Sequence, residues 1–310
     1  MDLSLSIITA KNILGLFLML CVGIVGAKSG ILNKERCKVL SNMLINLIMP
    51  LTFFCSFQQD FDKTKLLGLG IAFLLGLFAH VFPMFLGKLF FKKKPETNWT
   101  IDRFCVIYGN CAYIGIPLIQ SILGQEGVFY VTAFILSFNI FVFTQGVNLV
   151  SEGEAVSDIK HQILLNPVIL SIIIGLVCYL LRFRLPEIVL NPVQTVGNCN
   201  TPLAMIIAGC EMTETNFQKI LRSANTYIVT LTRLVIVPLA AVAVVVLFGV
   251  EQNVGLSTII CAAAPVGTMA TVLSVQYDKD SGYSSGIFAF TTLLCVITLP
   301  VIVGIYSLFI

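Results

Sequence analysis

Charge is what this chain has least of: 11% of its 310 residues are Asp, Glu, Lys or Arg, against about 25% in an ordinary soluble domain. So few charges cannot keep a globular surface in water. Hydrophobic residues make up 57% of the chain and the mean hydropathy is +0.95, which places it in a bilayer. Histidine is nearly missing, at two residues. No HExxH, no paired Asp and no Ser/His set falls at membrane depth, which argues against an intramembrane enzyme. The ten cysteines include no CxxC pair. They are read as small buried hydrophobes, with Cys21, Cys55, Cys111, Cys178, Cys261 and Cys295 inside apolar runs. Neither a metal nor a cofactor is expected. No basic stretch precedes the first apolar run and no small-residue cleavage site follows it, so a removable signal peptide is not expected either.

What is present is a series of apolar runs close to the roughly 20 residues that span a bilayer. They cover Ile7 to Ala27, Val39 to Phe57, Leu66 to Phe91, Phe104 to Leu123, Val128 to Val150, Ile163 to Leu181, Ile188 to Cys210, Tyr227 to Val250, Leu256 to Val275 and Gly286 to Ile310. The expectation is an all-α polytopic protein of ten transmembrane helices. Taking alternate loops, Lys28, Lys34, Arg36, Lys38, Lys88, Lys92, Lys93, Lys94, Arg103, Lys160, Lys219, Arg222 and Lys279 fall on one side, and Lys63, Lys65, Arg182 and Arg184 on the other. The richer side is expected in the cytoplasm, with both termini outside a cell (plasma) membrane. That bias accounts for the net charge of +3 without invoking nucleic acid.

Two of the runs are interrupted. The fourth carries Gly109, Asn110, Gly115 and Pro117, and the ninth carries Pro265 and Gly267; Asn110 and Pro265 stand 155 positions apart in a chain of 310. Unwound backbone is tolerated in a bilayer where it lines a cavity, so broken segments at matched places in two halves point to a transporter's binding site. Other matches recur at a similar offset: Asn46, Pro50 and Leu51 with Asn198, Pro202 and Leu203 at 152, and Pro83, Leu118 and Gly127 with Pro238, Leu273 and Gly282 at 155. Five helices per half is an odd number, so the second half enters the membrane in the opposite sense. An inverted 5+5 repeat follows, residues 1–155 and 156–310, joined by the polar linker Ser151 to His161.

The stretch GNCAYIGIPLIQSILG from Gly109 to Gly124, with Asn139 beyond it, resembles the auxin efflux carrier family. So do VGIVGAKSGILNKE, IMPLTFF, AAAPVGTMATVLSVQYDKDSG and the ITLP ending at Pro300. The family includes bacterial organic-acid permeases and is similar in fold to the plant PIN carriers and bile acid sodium symporters. The resemblance implies a scaffold bundle of helices 1, 2, 6 and 7, a transport bundle of helices 3–5 and 8–10, and a crossing of helices 4 and 9 near mid-membrane. It also suggests malate- or malonate-like dicarboxylates as substrates, with auxin-like monocarboxylates second. The long loop that separates the halves in plant members is absent.

A broken helix presents partial positive charge at one half-helix start and partial negative charge at the other half-helix end. Asn110 is therefore expected to line a substrate site or to cap freed backbone, with Tyr113 beside it and Thr268 and Thr271 beside Pro265. Pro117 and Pro265 are expected to act as breakers, since proline offers no donor. Asn46, with Asn198 as its match, either faces substrate or makes an interhelical hydrogen bond. Arg233 is the one arginine deep in an apolar run, where it costs about 2.5 to 3.5 kcal/mol on insertion scales. No Asp or Glu is placed at its depth, so an anionic substrate is one counter-charge. Snorkelling, or pairing with Glu211 or Glu214, is the other reading. His80, three residues before Pro83, either couples transport to protons or is structural. Asn139, Gln145, Thr291 and Thr292 are lesser polar candidates. The reading is a secondary transporter of small organic anions, with a homodimer through the scaffold. The alternatives are a ligand sensor on a transporter fold and an ion-coupled symporter of a larger amphipathic anion.

Overall fold

The computed structural model describes residues 3–94, 97–153, 165–213 and 220–309, with side chains from residue 7 onward. It is all-α; among the described residues, extended pairing is confined to one isolated bridge. The helices are α1 Leu3–Lys28, α2 Lys34–Ser56, α3 Lys63–Phe90, α4 Trp99–Ile107, α5 Cys111–Val150, α6 Pro167–Leu180, α7 Glu187–Asn198, α8 Asn200–Met212, α9 Ala224–Leu247, α10 Gln252–Ala263, α11 Met269–Gln276 and α12 Ser281–Tyr306. Gly124, at φ 63, kinks α5 into two arms. Six of these, α1, α2, α3, α5, α9 and α12, are long and apolar enough to cross a membrane.

Side-chain caps mark where several helices begin. Asn33 accepts from Arg36 N at 2.9 Å and Asp62 from Thr64 N at 2.7 Å. Asn166 accepts from Val168 N ahead of the α6 start at Pro167, and Glu251 accepts from Asn253 N and Val254 N. Each cap satisfies N–H groups that a helix start leaves free.

The prolines leave a repeated mark. A π turn at Leu44–Ile48, at Cys111–Gly115 and at Thr232–Ile236 ends two residues before Pro50, Pro117 and Pro238 respectively. Proline has no N–H to give and its ring crowds the carbonyl four residues back; widening the preceding turn relieves both problems without ending the helix. Pro117 is therefore not a breaker, contrary to expectation. The first break lies at residues 108–110, ahead of its π turn.

Packing follows close approaches of small residues. At Gly23 and Gly209, the backbones of α1 and α8 come so near that a Cβ on either would overlap Ile206 or Leu20. α2 is tied to α7 by Thr52 Oγ1, which donates to Gly197 O at 2.8 Å. Elsewhere the helices turn apolar stripes outward: Leu14, Leu18, Val22 and Val25 on α1, and Leu67, Leu74, Val81 and Phe85 on α3. Stripes at helical spacing, facing out along the full helix, suit acyl chains.

Ion pairs sort the loops into two groups. Lys93 and Lys279 both meet Glu152, at 3.8 and 2.6 Å; Arg184 meets Asp60 at 3.0 Å and Lys65 meets Glu126 at 3.6 Å. Each pair joins loops that alternate counting assigns to one face. Three sequence readings change. Cys21 is exposed, on the outward side of α1, and Cys37 and Cys210 form a disulfide between α2 and α8. α4 starts at Trp99, five residues ahead of the apolar run, and so carries Asp102 inside the protein. Of the linker, residues beyond Gly153 lie outside the described part, as does Glu214.

Candidate functional site at the crossing of two breaks

α4 ends at Ile107 and α10 at Ala263, and the extended residues that follow each meet as a short antiparallel bridge, Gly109 with Val266. Asn110 N donates to Pro265 O at 2.6 Å, and Gly267 N to Tyr108 O at 3.1 Å. Val266 N finds Thr291 Oγ1 of α12 at 3.1 Å. The breaks thus satisfy much of their own backbone, as burial requires.

Arg233 completes the crossing. It is 2% exposed, which removes snorkelling as its explanation. Nε donates to Ala264 O at 2.9 Å, Nη1 to Ile107 O at 3.2 Å and Nη2 to Cys261 O at 3.4 Å. Those carbonyls belong to the C-terminal ends of both half-helices, where the helix dipoles place negative charge. One guanidinium, planar and with five donors, serves both ends at once. The π turn Thr232–Ile236 sets its position on α9. Gly109 faces it so closely that a Cβ there would collide with the guanidinium. With the negative ends neutralised, the positive starts of α5 and α11 remain.

Asn110 is 4% exposed. Its Oδ1 accepts from Tyr113 N at 3.3 Å, capping α5, while its Nδ2 has no hydrogen-bond partner among the described residues. The capping role is met by the oxygen, and the nitrogen is left as a buried donor. Tyr113 is buried and follows directly in the π turn. Pro265 contributes its carbonyl. Thr268 and Thr271 are half-buried at the start of α11; Ser284 Oγ reaches Thr271 Oγ1 at 3.5 Å. Pro117 sits within α5, off the bridge.

Two candidates are elsewhere. Asn46 is exposed on α2 and its amide makes no hydrogen bond among the described residues. His80 is buried, its Nδ1 donates to Gly76 O at 2.6 Å, and its ring is enclosed by Phe134, Phe138, Phe141 and Tyr108 at centroid distances of 5.2 to 6.0 Å. Its link to the crossing runs through Tyr108, whose hydroxyl donates to Gln145 Oε1 at 2.6 Å. Asn139 donates to its own helix at Ile135 O, and Asn198 accepts from Gln120 Nε2 at 3.1 Å.

Sequence reasoning missed two groups. Asp102 is fully buried and accepts from Tyr283 Oη at 2.8 Å and Asn225 Nδ2 at 2.7 Å, binding α4 to α12 and α9. It lies two residues before the fourth apolar run, so a hydropathy count left it in the loop. Asn200 is fully buried with neither amide atom partnered among the described residues, on α8, which packs against the Cys111–Gly115 turn. An Asn two residues ahead of Pro202 was the available signal; the repeat match favoured Asn198 instead.

Residues 8–303 match the family described as membrane transport protein. Two archaeal relatives are named as uncharacterized transporters: one from Methanocaldococcus jannaschii, 26% identical over 90% of this chain and 93% of its own length, and one from Methanothermobacter thermautotrophicus, 23% identical over 94% and 96%. A Rhizobium meliloti protein whose name provisionally assigns it malonate transport is 22% identical over 84% of this chain and 83% of its own.

Proposed function

The chain belongs to the membrane transport protein family, and on that premise we propose that it is a secondary transporter of small organic anions, working by alternating access at the crossing of the two breaks. Arg233 carries the reading. Its buried guanidinium offsets the negative ends of both half-helices, which leaves the positive starts of α5 and α11 uncompensated, and the amide nitrogen of Asn110 at the start of α5 is a neutral donor with no partner among the described residues. An anion entering between the helix starts meets donors and positive potential, while a cation meets neither. Malonate- and malate-like dicarboxylates are the first substrates to try, in keeping with the Rhizobium relative's name; auxin-like monocarboxylates come second.

In this reading α4 with the first arm of α5, α7 with α8, and α10 with α11 each make one span, giving ten spans as two inverted repeats, residues 1–155 and 156–310. The 155-residue separation of the breaks supports it, as does the sorting of loop ion pairs into two faces. α1, α2 and α6–α8 form the scaffold and the remaining helices the moving bundle; both termini lie outside. A homodimer through the scaffold is part of the proposal, supported by α7, which buries Gly197 alone along its 12 residues. The test is counterflow of labelled malonate into proteoliposomes, with thermal shift of the purified protein alongside. Exchange competed by other dicarboxylates is expected. Carboxylate binding that raises Tm with no exchange in either direction sinks the transport reading in favour of a sensor.

A further inference from the structure

Lys63, Lys65, Arg182 and Arg184, the cations that loop counting assigns to the outer face, all line one open cavity of about 760 Å³ between the α2–α3 and α6–α7 connections. Asp60 and Asp62 also line it, leaving an excess of two positive charges. Both carboxylates are already engaged. Asp60 pairs with Arg184 at 3.0 Å. Asp62 caps α3, and the hydrogen bonds from Thr64 Oγ1 and Thr64 N, at 2.6 and 2.7 Å, hold its carboxyl below the usual range. Lys65 turns to Gln59 Oε1 at 2.9 Å and Glu126 at 3.6 Å. Lys63 and Arg182 are left with no anionic partner among the described residues, and Gln58 Nε2, in the same wall, is unpartnered too.

Arg182 is held there against its backbone preference. It follows α6 with φ 55, in the left-handed region, where Phe183 N→Cys178 O at 2.8 Å and Arg182 N→Tyr179 O at 3.1 Å close the helix end. Glycine takes this conformation freely and arginine does not. Its guanidinium carbon lies 5.1 Å from the Phe61 ring centre, which fixes it at the cavity wall.

We propose that this cavity is a recruitment site for a small soluble carboxylate at the outer mouth of the transport route, with Lys63 and Arg182 as its charges and Gln58 as its neutral donor. The inference rests on the anion-transport reading and adds a second, outer site to the crossing. A cleft of one sign concentrates oppositely charged solute and speeds capture, and salt weakens the effect.

The test uses the full chain in phosphatidylcholine vesicles, so that no anionic lipid competes, with malonate as probe. In Lys63→Gln/Arg182→Gln, uptake efficiency at low salt should fall about three- to tenfold, the maximal rate should hold, and the salt dependence seen in the unsubstituted protein should flatten. Arg182→Gly should show part of the loss while folding at least as well, because glycine suits the left-handed position. Unchanged efficiency and salt slope in the double variant overturn the proposal. A separate measurement keeps it apart from the transport reading: Gln59→Cys, labelled by anionic and cationic thiosulfonates and corrected for the parent's own cysteines. The anionic reagent should react several-fold faster, and the difference should vanish when Lys63 and Arg182 are also replaced by Gln. Equal rates in Gln59→Cys alone overturn the recruitment site even if malonate is transported. A clear preference for the anionic reagent, with no carboxylate transported, leaves the cavity charged as argued and sinks the transport reading instead.

Discussion

The two breaks share a backbone and differ in side chains. Both lose their helix at a short extended stretch, both end in carbonyls that Arg233 holds, and each lends the other one N–H. Beyond that they diverge. The first is followed by a side-chain cap, a π turn and the 40-residue α5, and it leaves the Asn110 amide nitrogen unpartnered. The second has no side-chain cap at Thr268, leads into the eight-residue α11, and has its spare N–H at Val266 tied to Thr291. The two breaks are thus tied differently: the first leaves a buried donor with no partner among the described residues, and the second is fastened to α12.

Removing what the breaks share should do the most damage. Arg233→Gln leaves half-helix carbonyls unpaired in a buried site; at about 1 to 3 kcal/mol for each lost partner, a loss of at least about 3 kcal/mol is expected, with transport abolished. Thermal melting in detergent and malonate counterflow read the two effects. Arg233→Lys keeps the charge but not the planar fork. If it restores transport fully, the three-carbonyl geometry is irrelevant and charge alone matters. Next come the glycines. A Cβ at Gly109 collides with the Arg233 guanidinium, whereas at Gly267 the nearest atom is Gly109 O at 3.2 Å. Gly109→Ala should cost about 2 to 3 kcal/mol and Gly267→Ala about 1 kcal/mol, measured as denaturation midpoints of the purified protein. Equal costs would mean that Arg233 yields easily and does not grip the first break.

The sharper contrast lies between Asn110 and Thr291. Asn110→Asp keeps the cap oxygen for Tyr113 N and replaces an open donor by a negative charge. A carboxylate in so buried a site should also cost stability, so anion counterflow is read per folded molecule, and it should fall at least tenfold. Thr291→Val strands Val266 N in a buried site and should cost about 1 to 2 kcal/mol, with activity per folded molecule retained. The reverse pattern, a silent Asn110→Asp and an inactive but stable Thr291→Val, would exchange the roles assigned to the two breaks.

How much of this was written in the sequence depends on the kind of signal. The positions of both breaks followed from Gly109, Asn110, Pro265 and Gly267, because backbone freedom and a missing N–H are properties of single residues. Arg233 stood out by charge in an apolar run, yet its partners did not, since they are backbone carbonyls 28 to 126 positions away that any sequence would supply. Pro117 misled because a proline is read as a stop, and a π turn that accommodates it has no residue signature of its own. Asp102 was hidden by its neighbours: Arg103 and Trp99 make the helix start look like loop, and burial comes from Tyr283 and Asn225, far along the chain.

The smallest effect concerns how the second break's short arm is held. α11 ends at Gln276, and Lys279, three residues on, donates to Glu152 Oε1 at 2.6 Å, with Lys93 at 3.8 Å from the same carboxylate. The Lys279 hydrogen bond, helped by the charges of both lysines, holds the Glu152 carboxyl below the usual glutamate range. A carboxyl lowered on folding adds stability at pH values above its unfolded pKa of about 4.3, and that stability is lost as pH falls through the lower folded value. The pair is solvent-facing, so screening limits it to about 0.2 to 1 kcal/mol. Melting of Glu152→Gln should therefore sit slightly below the parent at pH 7 and converge with it in acid, and the gap should shrink in high salt. Since α5 is long and capped by Asn110, the same substitution should loosen α11 more than α5. Hydrogen exchange that rises equally in both arms would show that the ion pair supports the whole face, and that the second break needs no anchor of its own.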